Sequence, residues 1–198
     1  MSFSSAYLEQ TQEITKQINA VTLDKIADEI DSIRSRNGRL FFIGSGGGAG
    51  HSSHAVCDFR KLADMECYSP SDNVSELTAR INDDGWDTAY SNWLKVSNFN
   101  SKDGIFVFSV GGGNREKNIS VNLVNCISLA NEHGASIMGV VGRDGGYTKQ
   151  SSDLTIVIPT IDDGLVTPHT EGWQALIWHL LISHPKVAVN ETKWESTK

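Results

Sequence analysis

Two short apolar runs that each end in a glycine loop constrain this chain more than any other feature. Arg39-Leu40-Phe41-Phe42-Ile43-Gly44 runs into Gly44-Ser45-Gly46-Gly47-Gly48-Ala49-Gly50, and Gly104-Ile105-Phe106-Val107-Phe108-Ser109-Val110 runs into Gly111-Gly112-Gly113-Asn114. Neither run alternates apolar with polar residues, so each reads as a strand covered on both faces. Further short strands are expected at 66–69, 136–141 and 154–159, and helices at about 50–64, 72–82, 87–97 and 119–133. A last long helix is expected from near Pro168 to Ser183. Continuous apolar strands separated by helices specify an α/β fold with a mainly parallel sheet between two helical layers.

The amino-terminal 36 residues carry Ile14, Ile18, Val21, Ile26, Ile30 and Ile33 at helical spacing. Thr22-Leu23-Asp24 reads as a break and a fresh N-cap, giving two helices that Asn37-Gly38 closes. The division expected is a helical segment 1–36 and an α/β unit 37–198, together one structural domain, with a polar, loosely ordered tail after Pro185. Trp86, Trp93, Trp173 and Trp178 read as core or interface residues, and Asn82-Asp83-Asp84-Gly85 as a helix stop.

Charge and cysteine usage exclude several classes. Seventeen Lys and Arg against 24 Asp and Glu leave a net charge of -7, which argues against nucleic acid as the main partner. No apolar stretch is long enough to span a membrane, and residues 1–13 lack a secretory pattern. Three cysteines (Cys57, Cys67, Cys126) without CxxC spacing fit a reduced, cytoplasmic compartment.

Glycine loops at the carboxyl ends of parallel strands let a backbone approach an anion and offer it N–H groups at a helix N-terminus. The first loop also satisfies the dinucleotide pattern GxGxxA (Gly44, Gly46, Ala49). Its acidic partner should end the next strand, whereas Asp64 precedes that strand. Two such loops, the second followed by Arg115 and Lys117, point to a phosphorylated or otherwise anionic small molecule. His54 and Asp58 stand four apart on one expected helix, and Glu171, Ala175 and His179 are spaced by four on another. Such pairs suit zinc or a similar divalent ion, or proton transfer, and equally a plain structural hydrogen bond. His51 and His169 read as loop or cap residues.

Taken in order, Gly44-Ser45-Gly46-Gly47-Gly48, His54-Ala55-Val56-Cys57-Asp58, Asn82-Asp83-Asp84-Gly85-Trp86, Gly142-Arg143-Asp144-Gly145-Gly146 and Glu171…His179 resemble the phosphoheptose isomerase branch of the sugar isomerase (SIS) domain family over residues 35–185. The resemblance implies a three-layer α/β/α sandwich and a homotetramer with active sites at subunit interfaces. It also implies interconversion of sedoheptulose 7-phosphate and a heptose 7-phosphate for surface polysaccharide precursors, commonly with zinc. Carried over, the metal set is His54, Asp58, Glu171 and His179, with Asp58 and His179 the proton-transfer pair. Substrate contacts fall on Ser45, Gly46, Gly47, Asn82, Asp83, Ser109, Val110, Gly111, Asn114 and Glu171.

The chain departs from that family at three places. Where the family has Ser-Thr-Ser-Gly-x-Ser, residues 109–114 are Ser-Val-Gly-Gly-Gly-Asn, so most of the phosphate-holding hydroxyls are gone. Asp58 stands for a glutamate, a reach shorter by about 1.5 Å on standard bond lengths, and Glu171 stands for a glutamine.

Overall fold

The structure, a computed structural model, describes residues 1–191. Five strands, β1 (Leu40–Gly44), β2 (Cys67–Tyr68), β3 (Gly104–Ser109), β4 (Ser136–Val141) and β5 (Thr155–Val157), form one sheet in the order β2-β1-β3-β4-β5. Every neighbouring pair is parallel. The sheet therefore sends alternate side chains into two cores. Leu40, Phe42, Phe106, Phe108, Met138 and Val140 join one core, and Phe41, Ile43, Ile105, Val107 and Ile137 the other. This alternation is the reason the strands read as uninterrupted apolar runs.

Helices α1 (Phe3–Gln17), α2 (Ala20–Ser35), α3 (Gly47–Leu62) and α8 (Val166–Ser183) cover the first face. The second face is covered by α5 (Trp86–Val96) and α6 (Val121–His133), with α4 (Val74–Asp84) and the short α7 (Gly146–Ser151) at its margin. Ile14, Ile26, Ile30 and Ile33 are fully buried against the first face, whereas Val21 is exposed. The carboxylate of Asp103, itself buried, takes a bidentate pair from Arg39 (3.1 and 2.7 Å) and the backbone N–H groups of Arg39 and Asn100. That network ties the start of β1 to the start of β3. No helix among the described residues is long and apolar enough to cross a membrane.

Several expectations need correction. The helical break lies at Ile18-Asn19, not at Thr22-Leu23-Asp24: the Asn19 side chain accepts the Thr22 N–H and caps α2. The last helix begins at Val166, and Pro168 sits in its first turn, where a missing N–H costs nothing. His169 lies inside that helix, buried, with its ring stacked on Tyr7 at 4.3 Å and Nε2 2.7 Å from Gln10 Oε1. Trp173 and Trp178 are core residues, but Trp86 is 40% exposed. The tail is not loose at its start. Arg34 donates to the carbonyls of Lys186 and Val187, Val187 is buried, and the N–H groups of Val189 and Asn190 reach Leu62 O. Residues 192–198 lie outside the described residues.

Candidate active site

The chain leaves β1 toward β2 on one side and returns to β3 on the other, so the β1/β3 boundary is the switch point where open α/β sheets bind ligands. Both glycine loops end there, beside a cavity of about 840 Å³. The loops touch: a Cβ on Gly48 would stand 2.5 Å from Phe108 O, so only glycine lets α3 start this close to β3. Ser45 lines the cavity and accepts from Asn122 Nδ2 at 3.1 Å, while the Tyr90 hydroxyl donates to Gly44 O at 3.0 Å. Burial pushes the Tyr90 hydroxyl up to about 12, so it stays a donor.

Ser109, Val110, Gly111 and Asn114 of the second loop all line the cavity. Their side chains are partly committed elsewhere. Ser109 Oγ accepts the Gly112 N–H at 3.0 Å, and Asn114 Oδ1 accepts the Lys117 N–H at 2.8 Å. Asn114 and Ile119 exchange two backbone hydrogen bonds of 2.9 Å, closing a small hairpin before α6. The Asn114 carboxamide oxygen thus braces the turn, while the residue lines the cavity. Gly112 is held by packing: its φ is +68°, a Cβ would stand 1.9 Å from Gly145 O, and its carbonyl takes both Thr148 N–H (2.9 Å) and Thr148 Oγ1–H (2.8 Å).

A second constellation lies where α3 packs on α8. His54, Asp58 and His179 each offer a ligand atom, all within 4.8 Å of one another. Asp58 is buried and its Oδ2 has no hydrogen-bond partner; His54 Nε2, at 3.7 Å, is too far to supply one. His179 Nδ1 lies 2.7 Å from Ala175 O, so it carries the ring proton and Nε2 keeps a free lone pair. Two imidazoles and a buried carboxylate with an unsatisfied oxygen fit a divalent cation of the zinc type.

Glu171 does not join this group. Its carboxylate lies over the first loop, where a Cβ on Gly47 would approach Glu171 Cδ to 2.6 Å, and it lines the cavity instead. Residues eight apart on a helix share a face but stand about 12 Å apart along it. His51 sits between the two regions; burial lowers its pKa, against the opposing pull of Glu171. Gly46 and Gly47 are absent from the cavity wall, as are Asn82 and Asp83, which are exposed at the end of α4 and hydrogen-bonded to each other. Sequence reasoning passed over Ser120, Arg143 and Gln174, which line the cavity, and Asn122, which is fully buried beneath it. An asparagine inside the apolar run Val121–Val124 was the visible signal.

No protein-family model matches the chain. Among characterised relatives, the lincomycin biosynthesis protein LmbN of Streptomyces lincolnensis is 32% identical over 73% of this chain, but the match spans only 54% of that protein. The phosphoheptose isomerase of Pelobacter propionicus is 28% identical over 85% of both chains, and that of Helicobacter pylori strain P12 is 25% identical over 88% of this one and 83% of its own length. In three dimensions, the phosphoheptose isomerase from Neisseria gonorrhoeae superposes with a TM-score of 0.76 over 90% of this chain and 94% of that one, at 18% identity. The enzyme from Francisella tularensis gives the same TM-score at 16% identity, over 92% and 97% of the two chains. In sequence the chain is similar to phosphoheptose isomerases, and it shares the fold of their solved structures.

Proposed function

We propose that the chain is an aldose–ketose isomerase that converts sedoheptulose 7-phosphate to D-glycero-D-manno-heptose 7-phosphate, a precursor of surface polysaccharide. The observation that carries the reading is the convergence of His54, Asp58 and His179, on the same two helices whose earlier residues Gly48, Thr167 and Glu171 line the glycine-walled cavity at the switch point. The reaction moves one proton from C1 to C2 and another from the C1 hydroxyl to the C2 oxygen through an enediol, with no net gain or loss. His179, with its Nε2 lone pair free, and Asp58, with an unsatisfied oxygen, are the proton-transfer pair. His54, Asp58 and His179 would hold a zinc ion, which when bound polarises a carbonyl oxygen. Glu171 serves the substrate side instead: its carboxylate accepts from sugar hydroxyls. Ser45, Ser109, Val110, Gly111 and Asn114 frame the phosphate end, and the glycine loops orient the substrate through backbone N–H groups.

The site works at a subunit interface of a cytoplasmic homotetramer. His54 and His179 are exposed, and Leu176 (46% exposed) and Leu180 (39% exposed) flank His179 as apolar surface suited to a neighbouring subunit. Asn82 and Asp83 contribute to substrate binding only across such an interface. A second reading, a sugar-phosphate-binding module without turnover, draws on the loss of hydroxyls from residues 110–113.

The test is NMR product analysis after incubation with sedoheptulose 7-phosphate, with and without added zinc. A heptose 7-phosphate signal that disappears in His179→Ala supports isomerisation. Tight binding without any product, with zinc present, supports the binding module.

A further inference from the structure

The second loop has few hydroxyls to hold a phosphate, and its remaining polar side chains each brace its own backbone: Ser109 Oγ accepts the Gly112 N–H and Asn114 Oδ1 the Lys117 N–H. Two cations stand beside it. Among the described residues, Lys117 and Arg143 are the Lys and Arg side chains that line the main cavity. They come from different directions. Lys117 sits on the hairpin that Asn114 and Ile119 close, and Arg143 sits in the loop after β4, where the carbon at its Cδ position lies 4.0 Å from where a Cβ of Gly111 would be. Arg143 holds a φ of +54°, a backbone conformation that a side-chain-bearing residue rarely keeps without cause.

Neither cation is used for anything else among the described residues. Arg34, Arg36, Arg39 and Arg80 are all engaged in ion pairs, and Arg115 turns away to Ser128 and Tyr147. The side chains of Lys117 and Arg143 have no ion-pair or hydrogen-bond partner among the described residues. Asp144 and Glu171 also line the cavity, so it carries no net positive charge, and the whole chain is at -7. Cations placed locally draw a dianion into such a protein against its overall charge.

We propose that Lys117 and Arg143 form a two-sided cationic clamp for the ligand's phosphate, taking over from side-chain hydroxyls. The clamp rests on the sugar-phosphate reading above and specifies how that substrate class is recognised: by charge, with the glycine backbone behind it. Recognition by charge weakens with ionic strength and discriminates a phosphorylated sugar from its unphosphorylated counterpart.

The test is titration calorimetry of the full chain with two probes, sedoheptulose 7-phosphate and inorganic phosphate, at low and high salt. The variants are Lys117→Gln, Arg143→Gln, the double variant, and Lys117→Arg as a charge-conserving rescue, each checked by thermal melting. Each neutralisation is expected to weaken sedoheptulose 7-phosphate binding about tenfold and the pair about a hundredfold, with a flatter salt dependence. Lys117→Arg should retain most of the parent's affinity. A double variant that binds sedoheptulose 7-phosphate within twofold of the parent overturns the clamp. If the parent makes no product from the sugar phosphate yet binds inorganic phosphate, and the double variant does not, the isomerase reading falls and the clamp stands. A parent that binds neither probe overturns both.

Discussion

Gly111 and Gly112 are neighbours in one loop, yet an added methyl group should have opposite consequences at the two positions. At Gly112 the new Cβ would stand 1.9 Å from Gly145 O, and φ is +68°. The left-handed conformation costs an L-residue about 1–2 kcal/mol. Relieving the overlap costs about 1–3 kcal/mol more, and moving the loop strains the two hydrogen bonds from Thr148 to Gly112 O. The sum, about 2–5 kcal/mol, lowers the melting temperature of a chain this size by roughly 5–20 °C. At Gly111 the nearest non-neighbouring atom is Arg143 Cδ at 4.0 Å, an ordinary contact, and φ is not positive. Gly111→Ala should therefore melt within about 2 °C of the parent, while its methyl group narrows the cavity and weakens sugar-phosphate binding. Scanning calorimetry of both variants, with sugar-phosphate titration of Gly111→Ala, reads the contrast. Equal melting temperatures for Gly112→Ala and the parent would refute the loop-against-loop contact on which the argument stands.

Removing the partner of a buried carboxylate should be costly as well. Arg39→Ala takes the guanidinium from buried Asp103 and leaves it the N–H groups of Arg39 and Asn100; the expected loss is about 3–5 kcal/mol in urea unfolding, and a loss under about 1 kcal/mol would mean that those donors suffice. Burial lowers the His169 pKa, Asp162 opposing it, while the ring stacks on Tyr7 and bonds Gln10. An unfolded chain then binds a proton near pH 6.5 that the folded one refuses, so stability present above that pH is lost as the pH falls through the lower folded value. His51 acts in the same direction. Melting temperatures from pH 8 to 5 should show a shallower acid-side decline in His169→Gln than in the parent, and an unchanged slope would remove His169 from the explanation.

The sheet was legible because its strands are covered on both faces: Ser136–Val141 forms a strand with the expected ends. Helix ends marked by glycine were equally plain, as at Gly85 (φ +80°) and Gly134 (φ +64°). The break between the first two helices was misplaced because Asn19, Thr22 and Asp24 can all cap, and only tertiary burial of Ile26 and Ile30 fixes the register. The six-residue α7 left no periodic trace, since Tyr147 and Thr148 donate their N–H groups to the glycine loop, far away in sequence. Three members of the proposed metal set were visible as helical neighbours with a partner across α3 and α8. Glu171 stands apart from these three in the structure, because spacing reports the face of a helix and not the position along it. The turn role of Asn114 was not legible in the sequence, because only the folded loop brings its carboxamide oxygen onto the Lys117 N–H.

Helices α3 and α8 both begin beside the cavity and both carry their cluster residues farther along. Gly46 caps α3 and His54 follows eight residues later; Glu171 lines the cavity and His179 follows at the same interval. At 1.5 Å per residue, each helix sets about 12 Å between the two regions. On the proposed reading the pair is a gauge for substrate length. A sugar phosphate one carbon too short can seat its phosphate yet present its carbonyl end short of His179. The gauge is also graduated in whole residues: one residue inserted in α3 between Gly48 and His54 would swing His54 by about 100° and turn it from α8. On that reading, selection by chain length would be set by two rigid rods, which a change of loop alone would not reset.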